Sequence, residues 1–193
     1  MTRTFIALEM NQEIQRHLEE TIRQVAKVLP GLRWVDPVGI HLTLAFLGEL
    51  SDERLAEAAK AAEATAQQVN AFTYRLTRLG LFGSVRNPRV IWMGIEEPSG
   101  TLLHLHRILN QSLEQHGFEI ESRPFSPHLT LARIKAPLTP DEQRQLQFLL
   151  TNEPNRIASE MSYPGRLIHV MKSELSRSGA SYTNLYQYAL RKA

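Results

Sequence analysis

The chain reads as an α+β protein of two pseudo-symmetric lobes, each an antiparallel β-sheet with outer helices, and three observations carry that reading. The pentapeptide His-Leu-Thr-Leu-Ala occurs twice, at His41–Ala45 and His128–Ala132. An order of strand, helix, His-bearing strand, helix, strand runs roughly twice around those repeats. The strands are short and the crossovers too few for a parallel sheet, which favours antiparallel pairing. No low-complexity linker separates the halves. Residues 1–193 therefore read as a single domain whose lobes pack together, with the chain passing between them more than once.

Each element has a local reason. Phe5–Leu8 is a short apolar run, a strand. Asn11–Leu29 carries Ile14, Leu18, Ile22, Val25 and Leu29 at helical spacing and stops at Pro30-Gly31. The first repeat strand is entered through Asp36-Pro37 and left through Gly48. Ser51-Asp52-Glu53-Arg54 supplies an N-cap and early acids for an Ala-rich helix running to about Val69. Phe72–Phe82 and Val90–Ile95 read as strands, the second behind a Pro turn. Ser99 or Thr101 opens a helix to about His116, closed by Gly117. The second repeat strand, His128–Ile134, follows Ser126-Pro127, and Thr139-Pro140-Asp141-Glu142 starts a helix with Pro in its first turn. Leu167–Leu175 and Leu185–Leu190 add two strands around a polar loop.

Alternation within each repeat has a period of two, so Leu side chains enter a core while His and Thr share the other face. One copy of such a strand is commonplace. Packing, however, does not require the same polar residues at the same offsets in two distant strands. If the lobes face one another, His41, Thr43, His128 and Thr130 form a symmetric site suited to phosphate chemistry.

Composition narrows the classes. With 42% hydrophobic and 22% charged residues the chain is ordinary globular protein, able to fold alone. The absence of cysteine excludes disulfides and thiolate metal sites. No apolar run approaches the ~18 residues of a membrane span, so no membrane partner is expected and a cytoplasmic location is the default. A formal charge of +2 does not by itself argue for nucleic acid. The local arginines Arg75, Arg78, Arg86, Arg89 and Arg123 matter for phosphate binding only if they line the cleft.

The paired His-x-Thr strands resemble the 2H phosphoesterase superfamily, and within it the RNA 2′,3′-cyclic phosphodiesterase group, also called 2′-5′ RNA ligase. Also similar are Arg3-Thr4-Phe5-Ile6-Ala7-Leu8, Arg33-Trp34-Val35, the extension Phe46-Leu47-Gly48 and Pro127 to Arg133. Pro88 to Gly94 and the segment from Ser173 through Tyr182 to Leu185 extend the likeness over nearly the whole chain. The resemblance implies a bilobal fold around a central cleft, no cofactor or metal, and opening of a terminal RNA 2′,3′-cyclic phosphate to a 2′-phosphate. The implied partner is an RNA with such an end, a tRNA fragment for instance, or a small cyclic nucleotide; a monomer is the default expectation. Residue chemistry is compatible. A cyclic phosphodiester needs a base for the attacking water and an acid for the departing ribose oxygen, and two histidines supply both near neutral pH. His41 and His128 are the expected acid/base pair, in an order the sequence leaves open, and Thr43 and Thr130 are the expected phosphate donors.

The resemblance also gives Arg133 a phosphate contact, which its fixed charge suits. Strict alternation, however, puts Arg133 on the face of Leu129 and Leu131, so reaching the cleft requires a bulge, strand end or strong twist between Ala132 and Arg133. Phe46 stands five residues after His41 as Arg133 does after His128. On a regular strand it belongs in the core; if both strands bend alike, it offers a base-stacking face at the cleft rim. His104 and His106 lie two apart on a predicted helix and point in different directions, which argues against a metal site. His17 and His116 fall on helices among polar neighbours, and His169 reads as a satisfied core residue. No nucleotidyl-transfer motif is present, so ligation would have to be the same chemistry reversed, with a ribose hydroxyl replacing water. The alternatives are that 2′-5′ ligation and a non-catalytic nucleotide- or RNA-binding module on the same scaffold.

Overall fold

The computed structural model describes residues 1–152, 161–176 and 179–192. Among these residues are two four-stranded antiparallel sheets and four α-helices. β1 (Thr2–Leu8), β2 (Leu42–Leu50), β7 (Leu167–Ser176) and β8 (Gly179–Ala189) make the first sheet, in the order β2-β1-β7-β8. β3 (Phe72–Ser84), β4 (Asn87–Glu96), β5 (His128–Arg133) and β6 (Tyr163–Gly165) make the second, in the order β5-β4-β3-β6. The anticipated order recurs as β1-α1-β2-α2-β3 and β4-α3-β5-α4-β6, and the chain crosses between sheets after α2 and after β6. Both repeats lie on an edge strand, β2 or β5, and the two edges approach each other.

Helix signals act as expected. In α1 (Gln12–Val28) the Asn11 side chain accepts from Ile14 N, and Ile14, Leu18, Ile22 and Val25 are buried. In α4 (Pro140–Thr151) Thr139 and Glu142 form a capping box around Pro140. α2 (Asp52–Ala66) buries an alanine face, and its small side chains let it pack closely against α3 (Thr101–Gln115) and the first sheet. Arg54 at the start of α2 donates to the carbonyls of His116 and Gly117, at 2.7 and 2.9 Å, and lies over the Phe118 ring at 3.8 Å. One helix thereby satisfies the last carbonyls of another.

Helices do not stay with the lobe that precedes them. α3, from the second half, also packs on β2 of the first sheet. α1, from the first half, reaches the second sheet, where His17 Nδ1 and the buried Tyr163 hydroxyl are 2.9 Å apart. Just before the first motif, Val35 N donates to Leu131 O at 2.8 Å and Trp34 bridges to Ala132. These exchanges tie the lobes together through one continuous core.

Two sequence readings change. β8 begins at Gly179, well before Leu185, so most of the expected polar loop is strand; residues 177–178 of it lie outside the described residues. The short β6 has no counterpart in the sequence reading. No helix among the described residues is long and apolar enough to cross a membrane.

Candidate active site

A cleft of about 630 Å³ opens between the motif-bearing edges, and His41, Thr43, His128, Thr130, Arg133 and Phe46 all line it. Each imidazole is held the same way. His41 Nδ1 lies 2.9 Å from Gly39 O, and His128 Nδ1 lies 2.7 Å from Ser126 O. A carbonyl can only accept, so each Nδ1 carries the hydrogen and Nε2 is left as the nitrogen that exchanges protons. The Asp36-Pro37 turn before the first motif and Ser126-Pro127 before the second place those carbonyls two residues ahead of the ring.

Aromatic rings fix the imidazoles from the sides. Phe5 and Tyr182 flank His41, with centroids 4.4 and 4.8 Å away. Phe82 and Trp92 flank His128, at 4.7 and 6.3 Å. The sequence reading missed all four roles, because cross-strand neighbours from β1, β3, β4 and β8 carry no local signal. Burial holds the His41 pKa below the ordinary 6.5; the Gly39 hydrogen bond works against this, and the nearby Arg133 charge adds to the lowering.

Arg133 reaches the cleft through a bulge. On β5 Thr130 pairs with Trp92 of β4 but Ala132 pairs with Ile91, leaving Leu131 as an extra residue. Leu131 and Ala132 are consecutive and both 0% exposed, so the alternation flips and Arg133 joins the His128 and Thr130 face. The irregularity lies one step before the Ala132–Arg133 junction expected from the sequence. β2 bends alike: Thr43 pairs with Ala7 and Ala45 with Ile6, leaving Leu44 extra. Phe46 is accordingly no core residue; it is 57% exposed at the cleft rim, with the Arg3 guanidinium 5.1 Å from its ring centroid.

The far wall of the cleft comes from the segment before β5. His106 stacks on Phe125 with centroids 4.0 Å apart, and Arg123 pairs with Glu121 at 2.7 Å. Of the arginines singled out besides Arg133, Arg123 alone is a lining residue; Arg75, Arg78, Arg86 and Arg89 lie outside the cleft. His104 contacts Arg107 while His106 faces Phe125, so the two diverge, and no three His, Asp or Glu side chains among the described residues are grouped to hold a metal. His116 pairs with Glu57 at 2.7 Å. His169 departs from expectation: its Nε2 is buried with no hydrogen-bond partner among the described residues.

Two facing edges with matching bulges each present an imidazole and a hydroxyl to one cleft. The chain belongs to the LigT-like phosphoesterase family, whose model matches residues 8–92 and 94–182. It is 31% identical over 185 residues, 96% of its own length and 94% of the relative's, to a Thermotoga maritima protein named RNA 2′,3′-cyclic phosphodiesterase. Its fold matches the crystal structure of TT0787 of Thermus thermophilus with a TM-score of 0.79 at 27% identity, covering 98% of each chain. E. coli LigT in apo form superposes with a TM-score of 0.77 at 28% identity, covering 99% of this chain and 98% of that one.

Proposed function

We propose that the chain hydrolyses the terminal 2′,3′-cyclic phosphate of RNA to a 2′-phosphate, with His41 as base, His128 as acid, and Thr43, Thr130 and Arg133 on the phosphoryl oxygens. The observation that carries the reading is the matched pair of Nδ1-anchored imidazoles facing one cleft from two lobes. Relatives named RNA 2′,3′-cyclic phosphodiesterase at 27–33% identity support the substrate class. A cleft of about 630 Å³ suits a single nucleotide, and E. coli LigT, similar in fold, has been solved with 3′-AMP.

Burial and Arg133 keep His41 neutral near pH 7, the state a base requires. Water attacks phosphorus and gives its proton to His41 Nε2; the P–O3′ bond breaks, and O3′ takes the proton from His128 Nε2. The threonine hydroxyls and the Arg133 fork offset the charge that develops on the non-bridging oxygens. Phe46 stacks on the terminal base. Two imidazoles supply both proton transfers, so the step calls for no metal. A monomer suffices, since both motifs come from one chain, and residues 1–193 act as one unit.

The test is turnover, in excess chelator, of a short RNA ending in a 2′,3′-cyclic phosphate. Wild type is expected to yield the 2′-phosphate, and His41→Ala and His128→Ala to lose about 10²–10⁴-fold each. A 3′-sulfur leaving group, which needs little protonation, should rescue His128→Ala and not His41→Ala. Folded wild type without turnover, or either alanine variant at wild-type rate, would refute the proposal.

A further inference from the structure

The cleft takes one nucleotide, so the rest of an RNA substrate must lie outside it, and the two flanking sheets offer different surfaces. On the second sheet, His128 pairs with Gly94, whose missing side chain makes room for side chains of β3 and β4 on this face. A Cβ on Gly94 would meet Thr77 Oγ1 at 2.4 Å, so Thr77 shares this face. A bulge between Leu76 and Leu79 turns Thr77 and Arg78 to the same side, because Leu76 and Leu79 are both buried. Arg75, opposite Glu96, continues the face. Trp92, half-buried, lies on the same face two residues from Gly94, its ring centroid 6.3 Å from that of His128 and its ring across Gly80, where a Cβ would be 2.1 Å away.

Arg75 and Arg78 are exposed, and neither has an ion-pair partner among the described residues. Strand spacing puts the β3 backbone roughly 10 Å from His128, two strands away. The matching face of the first sheet is unsuited to phosphate. There Glu9 follows Leu8, the partner of Leu42, and with Met10, Gln15, Val38 and His169 it lines a small hollow of about 180 Å³ behind His41.

We propose that the face of the second sheet beyond His128, formed by Trp92, Thr77, Arg78 and Arg75, binds the RNA strand that precedes the terminal nucleotide. Trp92 offers a stacking surface to the penultimate base, and the two guanidinium groups take the next phosphates. This rests on the RNA reading of the cleft and extends it to the length of the substrate.

The experiment compares wild type with the Arg75→Gln/Arg78→Gln variant on two substrates, a mononucleotide 2′,3′-cyclic phosphate and a six-nucleotide RNA with the same end. The variant should raise KM for the oligonucleotide about 10-fold, leave its kcat and the mononucleotide kinetics unchanged, and flatten the salt dependence of kcat/KM by about 1.4 in log–log slope. An unchanged oligonucleotide KM and salt slope would overturn this inference while leaving the cleft reading intact. Equal losses on both substrates would also overturn it, since the arginines would then act on the cleft itself. Wild type inactive on both would remove the cleft reading and this inference with it.

Discussion

Arg133→Gln separates the two roles proposed for one guanidinium. The side chain is exposed at a strand end, so its loss leaves the core untouched. A charge-assisted contact to a phosphoryl oxygen contributes about 2–3 kcal/mol, which predicts a fall in kcat/KM of about 30- to 150-fold. The second effect is on pH. Burial lowers the His41 pKa most, and Arg133 lowers it further. With the charge removed, the His41 pKa rises, the neutral base is lost at a higher pH on acidification, and the acid limb of kcat/KM moves upward. Arg133→Lys keeps the charge without the planar fork, so the limb should stay near its wild-type position while only part of the rate returns. The assay is initial-rate hydrolysis of a cyclic-phosphate RNA end from pH 5 to 9. An acid limb unmoved in Arg133→Gln, with a rate within about threefold of wild type, would refute the placement of Arg133 beside both His41 and the phosphate.

Phe46→Ala should raise KM about 10-fold for mononucleotide and oligonucleotide alike, with Phe46→Tyr near wild type, because stacking on the terminal base is independent of RNA length; thermal melting should barely change, since the ring is 57% exposed. Arg54→Ala removes both bonds to the end of α3 and the contact with Phe118. It should cost about 2 kcal/mol, or roughly 4–8 °C in Tm, with kcat retained; an unchanged Tm would show the contact to be dispensable.

Much of this was legible because it is local. The helix starts at Ser51 and Thr139, the apolar spacing of α1, and the alternation around His41 and His128 each act within a few residues. Nonlocal features were not. The bulges at Leu44 and Leu131 are defined by what lies opposite on β1 and β4, so alternation alone sent Arg133 and Phe46 to the wrong face. The rings around the two histidines come from four strands scattered between Phe5 and Tyr182. The three-residue β6 is too short for a periodicity to register, and its anchor, Tyr163 against His17, spans most of the chain. His169 was read as satisfied from the apolar run around it, but no neighbour among the described residues brings a partner to Nε2.

The pairing of β1 with β7 sets an order on assembly during synthesis. Leu8 pairs with Ile168, and Tyr182 of β8 packs against His41, so the first sheet waits for β7 and β8 to leave the ribosome. The second sheet needs only residues from Phe72 to Gly165 and has all its strands earlier. A nascent chain thus carries His128 in a finished setting while His41 still lacks its wall, and the cleft between the two motifs is completed last.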